Sequence, residues 1–123
     1  VALVTSLSGL DELQEIYFAE MSLGDESMKA LSQVLSLSKS RVAKLSLQYN
    51  RIGDRGAKSL ADHLKEKPTL QELILFSNSI GNEGAEALMM VSYPSIFVSL
   101  KLNKLTAELQ RTSRESLQNF EVQ

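Results

Sequence analysis

Leu45-Ser46-Leu47-Gln48-Tyr49-Asn50-Arg51-Ile52-Gly53-Asp54-Arg55-Gly56-Ala57-Lys58-Ser59-Leu60 is followed, 28 residues on, by Leu73-Ile74-Leu75-Phe76-Ser77-Asn78-Ser79-Ile80-Gly81-Asn82-Glu83-Gly84-Ala85-Glu86-Ala87-Leu88. Leu45, Leu47, Asn50, Ile52, Gly53, Gly56, Ala57 and Leu60 each meet an identical residue at that interval. A fixed period of this size marks a solenoid, in which each unit leaves a hydrophobic face that only its neighbour can cover. Such arrays seldom enclose a reactive pocket, but they build long faces for partners.

Within a unit the pattern changes period. Val42, Leu45 and Leu47 point inward while Lys44, Ser46 and Gln48 point out, the alternation of a half-buried strand. Asn50 stands where the strand ends and can bond backbone groups left unpaired by the turn. Gly53 is read as permitting that turn and Asp54 as the N-cap of the helix that follows. Gly56 and Ala57 are small enough for the helix start to lie close to the strand behind it. Leu60, Ala61 and Leu64 continue the apolar stripe at helical spacing, and Pro68 closes the helix.

The same grammar divides the whole chain into one domain over residues 1–123. Residues 1–12, with Leu3, Leu7 and Leu10, read as the end of a truncated repeat. Residues 13–41 form a looser unit in which Met21 replaces the turn Asn and Ser27 the second Gly; residues 42–69 and 70–96 are the close copies, the latter ending at Pro94. Residues 97–123 read as a degenerate unit and C-terminal cap. There Phe97, Leu100 and Leu102 are expected to form a fourth strand and Leu105 to stand in the Asn position. Thr106 is expected to cap a helix running to about Asn119, with Leu109, Leu117 and Phe120 on its apolar side. Because the chain opens inside a repeat without a polar cap, we expect it to be a piece of a longer array.

Composition agrees with a folded domain. Of 123 residues, 43% are hydrophobic and 23% charged, and the net charge of −2 offers no basic excess for nucleic acid. The absence of Cys excludes a disulfide framework, a thiolate metal site and a cysteine nucleophile. No Asn is followed by a glycosylation-competent Ser or Thr, which points to the cytoplasm or nucleus. The longest apolar runs, such as Leu73-Ile74-Leu75-Phe76, are far too short to span a membrane, and no signal peptide is read.

The string Leu-x-x-Leu-x-Leu-x-x-Asn-x-Ile-Gly-Asp-x-Gly-Ala-x-x-Leu resembles the leucine-rich repeat of the ribonuclease-inhibitor-like subclass. The resemblance covers nearly the whole chain. It implies a right-handed horseshoe with parallel strands on the concave side and helices on the convex side. Families of this subclass include ribonuclease inhibitor, the Ran GTPase-activating protein, NOD-like receptors and tropomodulin, most of which hold another protein. This chain lacks the abundant Cys of ribonuclease inhibitor and the acidic tail of the Ran activator, and no functional residue is carried over from either.

Several strings could carry chemistry. Gly53-Asp54-Arg55-Gly56 resembles a nucleic-acid-clamping GxxG loop, but Gly81-Asn82-Glu83-Gly84 repeats it with an acid inside, and repeat grammar explains both. Ser36-Leu37-Ser38-Lys39 matches Ser-x-x-Lys without the companion motifs of an acyl-enzyme, in what reads as a loop. His63 takes the place of Val34 and Val91, so a partly buried structural histidine is expected. No catalytic, metal or cofactor site is read.

The outward strand residues remain. Glu15, Lys44 and Glu72 are expected to form a charge ladder across adjacent strands. Tyr17, Ile74 and Phe76 have the character of binding anchors, since nothing in folding requires them on a solvent face. With Ser46, Gln48, Tyr49 and Lys101 they make up the expected protein-binding surface of a scaffold, sensor or regulator. Two other expectations are a GTPase-activating regulator resembling the Ran activator and a purely structural segment of a longer horseshoe. The open first unit also presents a parallel edge on which a second copy could pair.

Overall fold

In the computed structural model, residues 14–37, 41–66, 69–91, 96–116 and 118–122 are described. The expectations for residues 1–13, Lys39, Pro68, Pro94 and Leu117 lie outside them. Strand and helix alternate: β1 (Glu15–Tyr17), α1 (Asp25–Leu37), β2 (Lys44–Ser46), α2 (Asp54–Leu64), β3 (Glu72–Ile74), α3 (Asn82–Val91), β4 (Phe97–Ser99), α4 (Ala107–Ser116) and β5 (Phe120–Glu121). Each strand pairs in parallel with the next in sequence, giving one sheet in the order β1-β2-β3-β4-β5. This is a leucine-rich-repeat α/β solenoid.

The repeat leucines account for the core. Ile16, Leu45, Leu73 and Val98 lie in register on four neighbouring strands, and all four are buried. Leu47, Leu75 and Leu100 form a second buried layer, and Met28, Leu31, Leu60, Ala61, Ala85 and Leu88 meet them from the helices.

Two polar ladders tie the units together. Asn78 Nδ2 donates to the carbonyls of Leu47 and Leu75, both at 3.0 Å, and its Oδ1 accepts from Ile52 N at 3.0 Å. Asn50 reaches the carbonyls of Phe18 and Leu47 and the amides of Met21 and Leu23 in the same way. Each asparagine therefore satisfies groups of its own turn and of the unit before it, as a buried turn demands.

The second ladder runs the other way. Asp54 is not the N-cap of α2; Gly53 occupies that position and makes no side-chain cap. The cap comes from Asp25, whose Oδ1 accepts from Gly53 N at 2.7 Å and Gly56 N at 2.9 Å. Asp54 does the same for α3, through Gly81 N at 2.8 Å and Gly84 N at 2.9 Å. Gly53 has extended backbone, φ −108° and ψ −161°, so the turn itself does not demand glycine. Close approach does: a Cβ on Gly56 would lie 2.7 Å from Asp25 Oδ1 and 2.9 Å from Ile52 Cγ2. Gly56 thus makes room for the preceding unit's carboxylate as well as for its own unit.

The last unit departs from expectation. Leu73 pairs with Val98 and Ile74 with Ser99, so β4 sits two residues earlier than the Leu100-x-Leu102 pair suggests. Leu102 is 71% exposed, and Asn103, not Leu105, fills the turn position, bonding Leu75 O, Leu100 O and Ile80 N. Phe97 consequently faces outward beside Glu72. A slip of two preserves strand parity, which is why Ser99 and Lys101 keep their expected face. The terminal helix ends at Ser116, not near Asn119; Phe120 and Glu121 instead form a fifth strand on β4, with Phe120 and Val122 buried beneath. Thr106 caps α4 as expected, its Oγ1 accepting from Leu109 N at 3.3 Å. Ser36 lies in α1, not in a loop.

Candidate protein-binding face

Parallel pairing turns the outward residues into rows across the sheet. The first row reads Glu15, Lys44, Glu72, Phe97 and the second Tyr17, Ser46, Ile74, Ser99, with Glu121 beside Ser99. Gln48, Phe76 and Lys101 continue the same parity beyond the strands. The expected charge ladder is in place. Lys44 Nζ lies 3.6 Å from Glu72 Oε2 and 5.4 Å from the centroid of the Tyr17 ring, within cation–π range.

Tyr17 donates its hydroxyl hydrogen to Glu15. That bond to the carboxylate, the largest effect, together with desolvation and the negative charge of Glu15, raises the phenol above its ordinary value. Lys44 is raised too, by the charge of Glu72 first and that of Tyr17 next. Lys101 pairs with Glu121 at 3.3 Å, and Ser99 Oγ donates to the same carboxylate at 3.0 Å.

The apolar members divide by access. Tyr17 is 56% and Tyr49 50% exposed, while Ile74 and Phe76 are half-buried in the face. The Tyr49 and Phe76 rings meet edge to face, 5.2 Å between centroids, so each holds the other's orientation. Ser46 is only 3% exposed, flanked by Tyr17 and Ile74, and its hydroxyl donates to Gln48 Oε1 at 2.6 Å; it positions Gln48 and offers a partner little surface. Phe97, 38% exposed, belongs to the face and was missed by the sequence reading. The signal was present: Asn50 and Asn78 each fall five residues after an inward Leu, and five residues before Asn103 is Val98.

On the helical side, His63 is buried, with Nδ1 3.3 Å from Ser36 Oγ. Both line a groove of about 340 Å³ between α1 and α2, with Ser32, Asp62 and Glu66. Among the described residues no group of three or more His, Asp or Glu converges as metal ligands would, and no helix is long and apolar enough to cross a membrane.

A family model for the leucine-rich repeat matches residues 43–61 and 66–89. Ribonuclease inhibitor of Sus scrofa is 31% identical over 86 residues, 70% of this chain and 19% of the inhibitor. NACHT, LRR and PYD domains-containing protein 5 of Bos taurus is 44% identical over 66 residues, 53% of this chain and 6% of that protein. The chain thus spans less than a fifth of the length of these curated relatives. Among solved structures, Leiomodin-1 Actin-Binding Site 2 (ABS2) superposes with a TM-score of 0.77 over 98% of this chain and 76% of that one, at 16% identity, a likeness of fold.

Proposed function

Since this chain belongs to the leucine-rich-repeat proteins of the ribonuclease-inhibitor-like kind, we propose that it is a binding module that holds another protein across its strand face. The observation that carries this reading is the set of Tyr17, Ile74, Phe76 and Phe97 standing outward from a rigid parallel sheet, beside the charge row of Glu15, Lys44 and Glu72. Aromatic anchors on a preorganised surface supply affinity, because little side-chain freedom is lost on contact. Alternating charges supply orientation and reject partners of the wrong pattern. The mixture of Glu15, Glu72 and Glu121 with Lys44 and Lys101 suits a protein better than a polyphosphate backbone. The module works by holding a partner, as a scaffold, sensor or regulator, without turning over a substrate. Likeness to ribonuclease inhibitor and to the leiomodin actin-binding site supports a protein-binding role and makes ribonuclease and actin the first partners to try.

A photoreactive residue at Ile74 or Phe97 tests the reading against one at Lys58, which is exposed on α2. Adducts are expected from Ile74 and Phe97 and not from Lys58, and they should vanish when Tyr17 and Phe76 are both changed to Ser. Adducts confined to Lys58 would move the contact to the helices.

A further inference from the structure

The residue immediately before the turn position has left-handed backbone in each unit: Glu20 (φ 58°), Tyr49 (φ 59°), Ser77 (φ 58°) and Leu102 (φ 57°), with Ser22 (φ 54°) a further case in the first unit. Glycine and asparagine enter this region most easily, and a bulky side chain there is strained. The fold needs the conformation but no large apolar group, as Ser77 shows. Tyr49 and Leu102 are nevertheless exposed, and the Tyr49 ring is braced by Phe76. Strain combined with apolar exposure is the pattern of a contact surface.

Two residues further on, Arg51 and Lys104 are exposed, where the other units have Ser22 and Ser79. Neither cation enters an ion pair among the described residues, whereas Lys101 is paired with Glu121. Glu20 is the acid of this ridge, at its β1 end.

We infer that this ridge, with Tyr49 and Leu102 as anchors and Arg51 and Lys104 beside them, docks an acidic amphipathic helix of a partner protein. The inference extends the strand-face reading to its rim and rests on a protein being held on this side. A helix fits better than an extended segment. The amides of Glu20, Tyr49 and Ser77 already donate to Gln48 O, Phe76 O and Lys101 O, so a strand would find no free ladder at those residues. Spacing agrees: Tyr49 and Leu102 lie two strand steps apart, about 10 Å, and seven residues of helix rise about 10.5 Å. The partner would carry two large apolar residues seven apart, flanked by Asp or Glu facing Arg51 and Lys104.

A display library of helices about 20 residues long, randomised on their surface positions and panned on the whole chain, tests this. Enriched sequences are expected to carry that apolar pair and those acids. Their affinity should fall about tenfold or more in Leu102→Asn and in the Arg51→Glu/Lys104→Glu double variant, and stay within about twofold in Lys58→Ala, on the exposed side of α2. Asn accepts the left-handed backbone, so a thermal melt of Leu102→Asn no lower than that of the parent separates lost contact from lost fold. No enrichment, enriched helices without acids, or affinity insensitive to Leu102→Asn would overturn the inference. Sensitivity to Ile74→Ser instead would do so while leaving the strand face standing. Binding to phosphatidylserine vesicles with no helix enriched would overturn it in favour of a membrane surface.

Discussion

The Asp54 carboxylate caps a helix to which Asp54 does not belong: it sits in the first turn of α2 and accepts from Gly81 N and Gly84 N at the start of α3. These are charge-assisted bonds to orphan helix amides. Asp54→Ala should cost about 1–2 kcal/mol of stability, read by denaturant unfolding. The distinguishing result is local: amide exchange should accelerate at Gly81 and Gly84, in the next repeat, and not at the start of α2.

Glycine at position 84 answers the same carboxylate. A Cβ there would lie 2.8 Å from Asp54 Oδ1, 2.9 Å from Ala57 Cβ and 3.0 Å from Asp54 Cα, the last a backbone atom that cannot swing aside. Gly84→Ala should therefore destabilise by about 1–3 kcal/mol, although in a free helix the change would gain about 1 kcal/mol. Gly24→Ala is the control, since its Cβ would meet only Arg51 O at 3.9 Å. Equal melting temperatures for the two variants would contradict the crowding.

Leu100 and Leu102 look alike in sequence and should behave oppositely. Leu100 is fully buried, so Leu100→Ala should cost about 2–5 kcal/mol. Leu102 is exposed and left-handed, so Leu102→Gly should be neutral or stabilise by up to about 1 kcal/mol. Chemical denaturation of both variants checks the register of β4.

Asn78→Ala should strand the buried amide of Ile52, while the carbonyls of Leu47 and Leu75 keep the amides of Asn50 and Asn103. A buried orphan amide costs about 1–3 kcal/mol, so the variant should lose about that much stability. A smaller loss, measured by the same unfolding titration, would mean that the Ile52 amide finds another partner.

The Tyr17 phenol is raised above 10.0, chiefly by its bond to Glu15, and Lys44 is raised above 10.5, chiefly by Glu72. Both raised values favour the protonated folded form. Their contribution is present in full below the unfolded values and is lost as pH climbs through the folded ones, so it vanishes only in the alkaline range. Glu15→Gln should move the phenolate absorbance transition of Tyr17 to lower pH. An unmoved transition would deny the Tyr17–Glu15 bond.

Most of the architecture was legible because leucine spacing reports burial directly: Leu45, Leu47, Leu73 and Leu75 fell where their periodicity put them. The slip at β4 came from giving leucine more weight than Asn103, although the asparagine has stricter geometry to satisfy. β5 escaped because Phe120 and Glu121 form only two residues of strand with no repeat behind them. The ownership of the caps was hidden for a different reason. Asp54 at the start of a helix looks like that helix's own cap, and only the lateral packing of α2 on α3 shows otherwise. Of the candidate face, the rows were readable by parity, while the burial of Ser46, in register between Tyr17 and Ile74, follows from lateral neighbours that alternation does not report.

The two ladders point in opposite directions, Asp25 and Asp54 towards the following unit and Asn50, Asn78 and Asn103 towards the preceding one. The two seams that flank the second unit are therefore stitched from both sides by the same pair of residue types, Asp and Asn. Excision of residues 45–72, one full period, would bring the Asp25 carboxylate to Gly81 and Gly84 and the Asn78 amide to the turn at Leu23, with no stitch left open. Removal of half that length would leave one carboxylate and one amide facing strangers. The unit of inheritance in such a chain is thus set by its seams, and whole modules can be gained or lost while fragments of them cannot.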